Sequence, residues 1–377
     1  MSSPDFNSPQ KEELAYWLAF NMLSGTGLGF RKIKLLYDHF QGLQGAWLAP
    51  LKELNSLPWL NASIIERFSE QKKTIEPLAL LEKLQVSGIS AFPYVHEYYP
   101  SALRQIHDPP LLLFAKGDLP ICDFNHAVGI VGTRKPSPYG QKLAKSIARE
   151  LAQTGTVVVS GMAFGIDSLA HWGALAAKGK TVAVLGCGVD ICYPATNKPL
   201  YKAITEGGGA VVSEYFPGTG PQTWHFPARN RIISGLTPAL AVIEAGLDSG
   251  ALITAKLAFE QNREVFAIPG RIDSATSAGT NYLIAKNTAH LFRNAADILE
   301  EMNWASNNKQ PGSATVVTLQ GREMEVYELM SAEPVHFDYL IEKTGINSGE
   351  LSAILTMLEL AGVISRLPGD WYSREKP

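Results

Sequence analysis

From residue 127 to residue 268 the chain repeats one pattern: a short β-branched run, a turn rich in small residues, then an amphipathic stretch. The runs are AVGIVG (127–132), TVVVS (156–160), TVAVLG (181–186), AVVSE (210–214), ALAVIEA (239–245) and EVFAI (264–268). Helical periodicity predicts the intervening segments as helices at 139–153, 167–178, 198–206, 227–235 and 252–262. Strands that are apolar throughout must be covered on both faces, and alternation with helices covers them. The expected class is therefore α/β, with a doubly wound parallel sheet.

The flanks differ from this core. Residues 14–23 read as an apolar helix that runs through SGTGLG (24–29) into a second helix at 30–40. That layout is a helix-hairpin-helix (SAM-like) whose turn can present N–H groups to a phosphate, or an ordinary tight turn between packed helices. A further helix is expected at 62–85 and a strand at 88–95, and 98–119 then leads through two prolines into another short strand. Residues 304–319 have the polar, Gly/Pro-containing composition of a linker. Helices at 321–331, 336–343 and 348–361 and a hairpin around Pro368–Gly369 give the end of the chain a winged-helix-like topology. The expected domains are 1–97 (helical), 98–303 (core), 304–319 (linker) and 320–377 (winged-helix-like).

Hydrophobic residues make up 46% and charged ones 18%, which favours packed cores over disorder. No run of uncharged apolar residues is long enough to span a bilayer, and the first residues lack a secretory pattern. Cys122, Cys187 and Cys192 contain no C-x-x-C pair. The expectation is a cytoplasmic protein without disulfide frame, zinc site or membrane partner. A net charge of −3 argues little for a polyanionic partner, but its distribution says more. Residues 124–292 carry 15 basic and 10 acidic side chains, whereas 320–377 carry 5 and 10. A polyanion would be drawn to the middle and repelled by the end.

In an open α/β sheet ligands bind beyond the carboxyl ends of the strands. Small residues recur there, in GTRKPSPYG (132–140), SGMAFGID (160–167), GCGVD (186–190) and EAGLDSGALITA (244–255). They describe a broad anion-binding rim. Dinucleotide and P-loop fingerprints both fail on spacing, so no nucleotide cofactor is expected. Asp167 and His171 share a helical face but lack a third metal ligand, and Ser160 lacks a G-x-S-x-G context. Glu214 and Glu244 both end strands and could meet across the rim for acid–base work, or could tie loops together. What remains is basic and aromatic: Arg134, Lys198 and the segment carrying Trp224, Phe226, Arg229 and Arg231. Rings beside arginines suit a single nucleic-acid strand. They equally suit a core phenylalanine with arginines paired to Glu214 or Glu244, and the residues alone leave both open.

The ordered series GTR (132–134), SGMAFGID (160–167), VAVLGCGVDICYP (182–194), GAVVSEY (209–215), HFPARNRIISGL (225–236), VIEAGLDSGALITA (242–255) and EVFAIPG (264–270) resembles the DNA-processing protein A (DprA/Smf) family. DPPLLLFAKGDL (108–119) precedes it as that family's core usually begins, and the likeness extends over nearly the whole chain. The resemblance implies a Rossmann-like core that binds single-stranded DNA without catalysis or cofactor. It also implies homodimerisation through that core and loading of the RecA recombinase in natural transformation and DNA recombination. The DNA contacts it implies are Gly132, Thr133, Arg134, Ser160, Gly161, Ala163, Gly165, Lys198, Phe226, Arg229, Asn230 and Arg231. Backbone N–H groups at 132–133 and 160–161 would hold phosphates while Phe226 stacks a base. This chain departs from the family at Phe164, a position often basic there, and at NTAHL (287–291). The competing expectation is a nucleoside-monophosphate phosphoribohydrolase-like enzyme on a related fold, whose loop glutamate is missing from EAGLDSGALITA. A third is a pure adaptor docking partners through its winged helix.

Overall fold

The computed structural model describes residues 8–23, 26–119, 122–304, 321–331, 333–360, 363–367 and 369–374. The chain divides into two compact units, Met1–Ala305 and Ser306–Pro377. The segment expected to be a linker lies, apart from Trp304, outside the described residues.

The first unit begins with helices α1 (Ser8–Met22), α2 (Phe30–Phe40), α3 (Leu43–Leu48), α4 (Leu51–Asn55), α5 (Ala62–Lys72) and α6 (Pro77–Val86). The single helix expected at 62–85 is thus two, because Pro77 cannot continue α5 and instead opens α6. Helices α3 and α4 are too short for periodicity to reveal. Between α1 and α2, the Thr26 hydroxyl donates to the Leu23 carbonyl (3.0 Å) and accepts from the Leu28 N–H (3.2 Å). The turn therefore satisfies part of its own backbone.

The sheet follows: β1 (Ser90–Pro93), α7 (Ser101–Arg104), β2 (Leu112–Gly117), β3 (Ala127–Val131), α8 (Pro138–Gln153), β4 (Val157–Ser160), α9 (Ile166–Ala176) and β5 (Thr181–Val184). Then come α10 (Lys198–Glu206), β6 (Ala210–Ser213), α11 (His225–Gly235), β7 (Ala239–Val242), α12 (Gly250–Glu260), β8 (Glu264–Ala267), α13 (Ala278–Ala285), β9 (His290–Leu291) and α14 (Ala295–Glu301). The strand order is β1-β2-β6-β5-β4-β3-β7-β8-β9. All pairs from β6 to β9 are parallel, and β1 and β2 extend the β6 edge antiparallel.

The chain winds outward from β3 to β6, then returns to lay β7 on the other side of β3. That reversal opens a crevice between the loops after β3 and β7. Apolar side chains of the sheet enter one core with α11 and α12 and another with α8 and α9. The N-terminal helices bury Trp17, Phe20 and Phe68 against Ala91, Leu112 and Phe114 of β1 and β2.

The second unit holds α15 (Arg322–Glu328), β10 (Val335–His336), α16 (Phe337–Thr344), α17 (Ser348–Leu360), β11 (Ile364–Leu367) and β12 (Trp371–Arg374). Its antiparallel sheet runs β10-β12-β11 around a core that includes Leu340, Leu351 and Tyr372. Helix, strand, two helices and a hairpin make a winged helix, the expected hairpin gaining β10 as a third strand.

Candidate nucleic-acid interface

The crevice at the topological switch is a cavity of about 890 Å³. Gly132, Thr133 and Arg134 line it from the loop after β3, Ala163 from the loop after β4, and Leu247 to Gly250 from the loop before α12. Phe226, Arg229 and Asn230 close it from α11, and Thr276 from the loop after β8.

Glu244 fixes this geometry. Its carbonyl oxygen accepts from the Thr133 N–H at 2.7 Å. One carboxylate oxygen accepts from the Ser137 N–H (2.9 Å) and the other from the Thr276 hydroxyl (2.6 Å). Buried and doubly engaged, it ties three loops of the crevice together. Glu214 does not meet it: β5, β4 and β3 lie between their strands, about 19 Å at the usual strand spacing. The loop-tying alternative holds and the acid pair does not form.

The expected backbone cradle is also engaged internally. The Thr133 N–H goes to Glu244, and the Gly161 N–H donates to the Asp167 carboxylate at 3.2 Å. Ser160 is fully buried, its hydroxyl donating to the Ile130 carbonyl at 2.6 Å. Gly165 lines neither cavity of this region. It adopts φ +76° and presses so close to the next loop that a Cβ there would lie 2.4 Å from the Thr133 carbonyl oxygen. The N–H groups of Thr133 and Gly161 are thus held within the fold, while Gly132 and Thr133 still line the crevice.

The three arginines divide three ways. Arg134 is exposed, borders the crevice, and makes no hydrogen bond or ion pair among the described residues. Arg229 is buried and donates to the carbonyls of Gly161 (2.8 Å) and Val184, joining the ends of β4 and β5. Burial lowers its pKa and the neighbouring Asp167 charge opposes this, while burial raises Asp167 against the pull of Arg229. Arg231 turns away from the crevice. It makes a fork-like pair with Glu214 (2.8 and 2.6 Å) and borders a different cavity of about 460 Å³ near Phe20, Asp108 and Phe30. Lys198 is exposed at the start of α10 and lines neither the crevice nor the slot beside it.

Phe226 is half-buried, so it is not a core residue. Its ring lies 5.4 Å from that of Tyr193 at an interplanar angle of 30°. Tyr193 was not marked by sequence reasoning, because it sits in an irregular loop far beyond β5 where no periodicity applies. His171 donates from Nδ1 to Thr181, whose own hydroxyl proton goes to the Val158 carbonyl, so it is a packed neutral histidine. Among the described residues no group of three His, Cys, Asp or Glu side chains could hold a metal ion. Among the same residues no helix is long and apolar enough to cross a membrane.

Comparison with known proteins decides the family. Residues 91–303 match the model described as DNA recombination-mediator protein A, and residues 310–370 match the DprA winged helix domain. The chain belongs to the DprA/Smf family. Protein Smf of Synechocystis is 32% identical across 96% of this chain and 99% of that protein. Protein Smf of Escherichia coli is 36% identical across 74% of this chain and 76% of its own length. Among solved structures, the Streptococcus pneumoniae DprA matches with a TM-score of 0.65 and 36% identity, covering 76% of this chain and 97% of that one. DprA from Helicobacter pylori, whose structure addresses a single-stranded DNA binding mode, matches with a TM-score of 0.52 and 33% identity, covering 57% and 96%. The DprA/Smf core thus coincides with the sheet that frames the crevice.

Proposed function

We propose that this DprA/Smf protein binds single-stranded DNA in the switch-point crevice without catalysing a reaction on it. One observation carries the reading: the exposed, unpaired Arg134 stands at the crevice beside the half-open ring pair of Phe226 and Tyr193. A phosphate at Arg134 and a base against Phe226 is the combination a single strand requires. The amino end of α12 opens on the same crevice and adds the positive end of a helix dipole. Lys198, exposed at the start of α10 and outside the crevice, would offer a cation to a strand that leaves it.

The family name, recombination mediator, supports a role in which the bound strand is passed to the RecA recombinase in natural transformation and DNA recombination. Homodimerisation through the core would join two crevices on one strand and raise apparent affinity for long strands. A cytoplasmic location follows from that role. Hydrolysis of nucleoside monophosphates is the less supported reading, because both carboxylate oxygens of the strand-end acid Glu244 are taken up by the fold.

The test is fluorescence anisotropy of labelled oligothymidine at several salt concentrations, with wild type and Arg134→Ala. Wild type is expected to bind, and the variant to bind more weakly with a slope of log K on log salt shallower by about 0.7, one phosphate's share for a single strand. Absence of single-strand binding by wild type would overturn the proposal.

A further inference from the structure

Beside the crevice lies a slot of about 40 Å³ bordered by Phe164 and Pro194, with Arg134, Tyr193, Phe226 and Arg229 shared between the two. That volume is close to the space one water occupies, so no nucleobase enters it. Whatever uses these rings must lie across the mouth of the slot. Phe164 is 49% exposed and Tyr193 45%, so both rings are open to solvent at the one slot they line.

The loop carrying Phe164 is held firmly. Asp167 accepts from the N–H groups of Gly161 and Ala163 (3.2 and 3.4 Å). The Ala163 carbonyl accepts from the Ser168 N–H at 3.2 Å, and Asn197 donates to the Met162 carbonyl at 2.8 Å. The ring is therefore presented by fixed backbone, and its exposure is built into the turn. Tyr193 is likewise braced by Phe226.

We propose that Phe164, across the slot from the ring pair of Tyr193 and Phe226, is a second base-stacking platform, so that a strand anchored by its phosphate at Arg134 lays one base toward Phe226 in the crevice and the adjoining base across the slot on Phe164. The inference rests on the single-strand reading above. The occupant is a base because the platform is continuous with the crevice and Arg134 belongs to both walls. The wall residues offer rings and aliphatic groups more than base-reading side chains, so this platform is tolerant of sequence.

The experiment measures anisotropy with the full-length protein on two labelled probes of equal length, an oligothymidine and a strand of abasic deoxyribose phosphates. Phe164→Ala is expected to weaken oligothymidine binding about 5- to 150-fold, the equivalent of roughly 1–3 kcal/mol for one stacked base. It is expected to leave abasic binding and the salt slope as in wild type, while Phe164→Trp retains oligothymidine affinity. Arg134→Ala should weaken both probes. If Phe164→Ala binds oligothymidine like wild type, the platform is refuted while the single-strand reading stands. Equal loss on both probes would mean that Phe164 only supports the loop, and would also refute it. Wild type that binds neither probe removes the single-strand reading and the platform with it. Unchanged DNA binding with an altered oligomeric state would assign the rings to a second copy of the chain instead.

Discussion

Arg229 and Gly161 stand 68 residues apart in sequence, and the guanidinium of the first donates to the carbonyl oxygen of the second at 2.8 Å. The same nitrogen also donates to the Val184 carbonyl, so one side chain from α11 joins the ends of β4 and β5 directly beneath the rim. Its positive charge lies beside Asp167, which in turn holds the backbone of the following turn. An arginine that lines the crevice is thus also a structural brace.

Replacing Arg229 with Met should therefore destabilise the fold strongly. Two buried carbonyls lose their donor, and Asp167 is left without its neighbouring cation; breaking such an arrangement costs about 3–5 kcal/mol. Arg229→Lys keeps the charge and has hydrogens enough for both carbonyls, but lacks the planar guanidinium that reaches and packs at this site, and should lose roughly 1–3 kcal/mol. Urea unfolding gives the ordering: wild type, then Lys, then Met. Equal midpoints for all three would show that the brace contributes nothing.

His171 makes the protein sensitive to acid. Burial, and after it the Arg229 charge, pushes its pKa down to about 3, and its Nε2 is buried without a partner. The unfolded chain binds this proton below about pH 6.5 and the folded chain does not until about pH 3. Stability is thus fully present above pH 6.5 and declines as pH falls, by up to about 1.4 kcal/mol per pH unit from this group. Between pH 7 and 5, His171→Leu should lose roughly 2 kcal/mol less than wild type, from that slope over the titrating interval. Other titrating groups cancel in the comparison. Parallel pH profiles in urea unfolding would refute the assignment.

Arg231 and Arg134 separate stability from binding. Arg231 and Glu214 are 16% and 18% exposed at their side chains, and Arg231 faces the cavity near the N-terminal helices, away from the crevice. Removing Arg231 leaves a largely buried carboxylate unpaired, so Arg231→Ala should cost roughly 1–3 kcal/mol. Affinity for oligothymidine should stay within about twofold, against the larger loss in Arg134→Ala. A matching loss in both variants, measured by anisotropy where both are folded, would extend the interface to the second cavity.

The contrast among these arginines marks what the sequence could and could not convey. The sheet was legible because runs such as TVVVS and ALAVIEA leave only one way to bury both faces, and the turns after them place the crevice. Which guanidinium points where was not, because Arg229 and Arg231 are two positions apart on one helix and their fates depend on partners 17 to 68 residues away. Whether the N–H groups of Thr133 and Gly161 are free is hidden from the sequence for the same reason. A glycine-rich turn signals that backbone can approach a ligand, but only tertiary structure shows that Glu244 and Asp167 have already taken those N–H groups. Tyr193 and the exposure of Phe164 escape prediction because irregular loops carry no periodicity.

The winged helix makes the last test. In a DNA-reading helix-turn-helix the second helix enters the groove, and the topology of this unit assigns that place to α17. Its sequence, SGELSAILTMLEL, holds two glutamates and no lysine or arginine. Residues 320–377 as a whole carry 10 acidic and 5 basic side chains. A phosphate backbone gains no counterion release from such a surface and is repelled by it. Deleting 316–377 should therefore leave oligothymidine affinity within about threefold, with any change toward tighter binding at low salt, where the acidic unit's repulsion is least screened. The isolated segment should not retard duplex DNA in a gel. A tenfold or greater loss of single-strand affinity on deletion would show that the unit contributes directly to the interface.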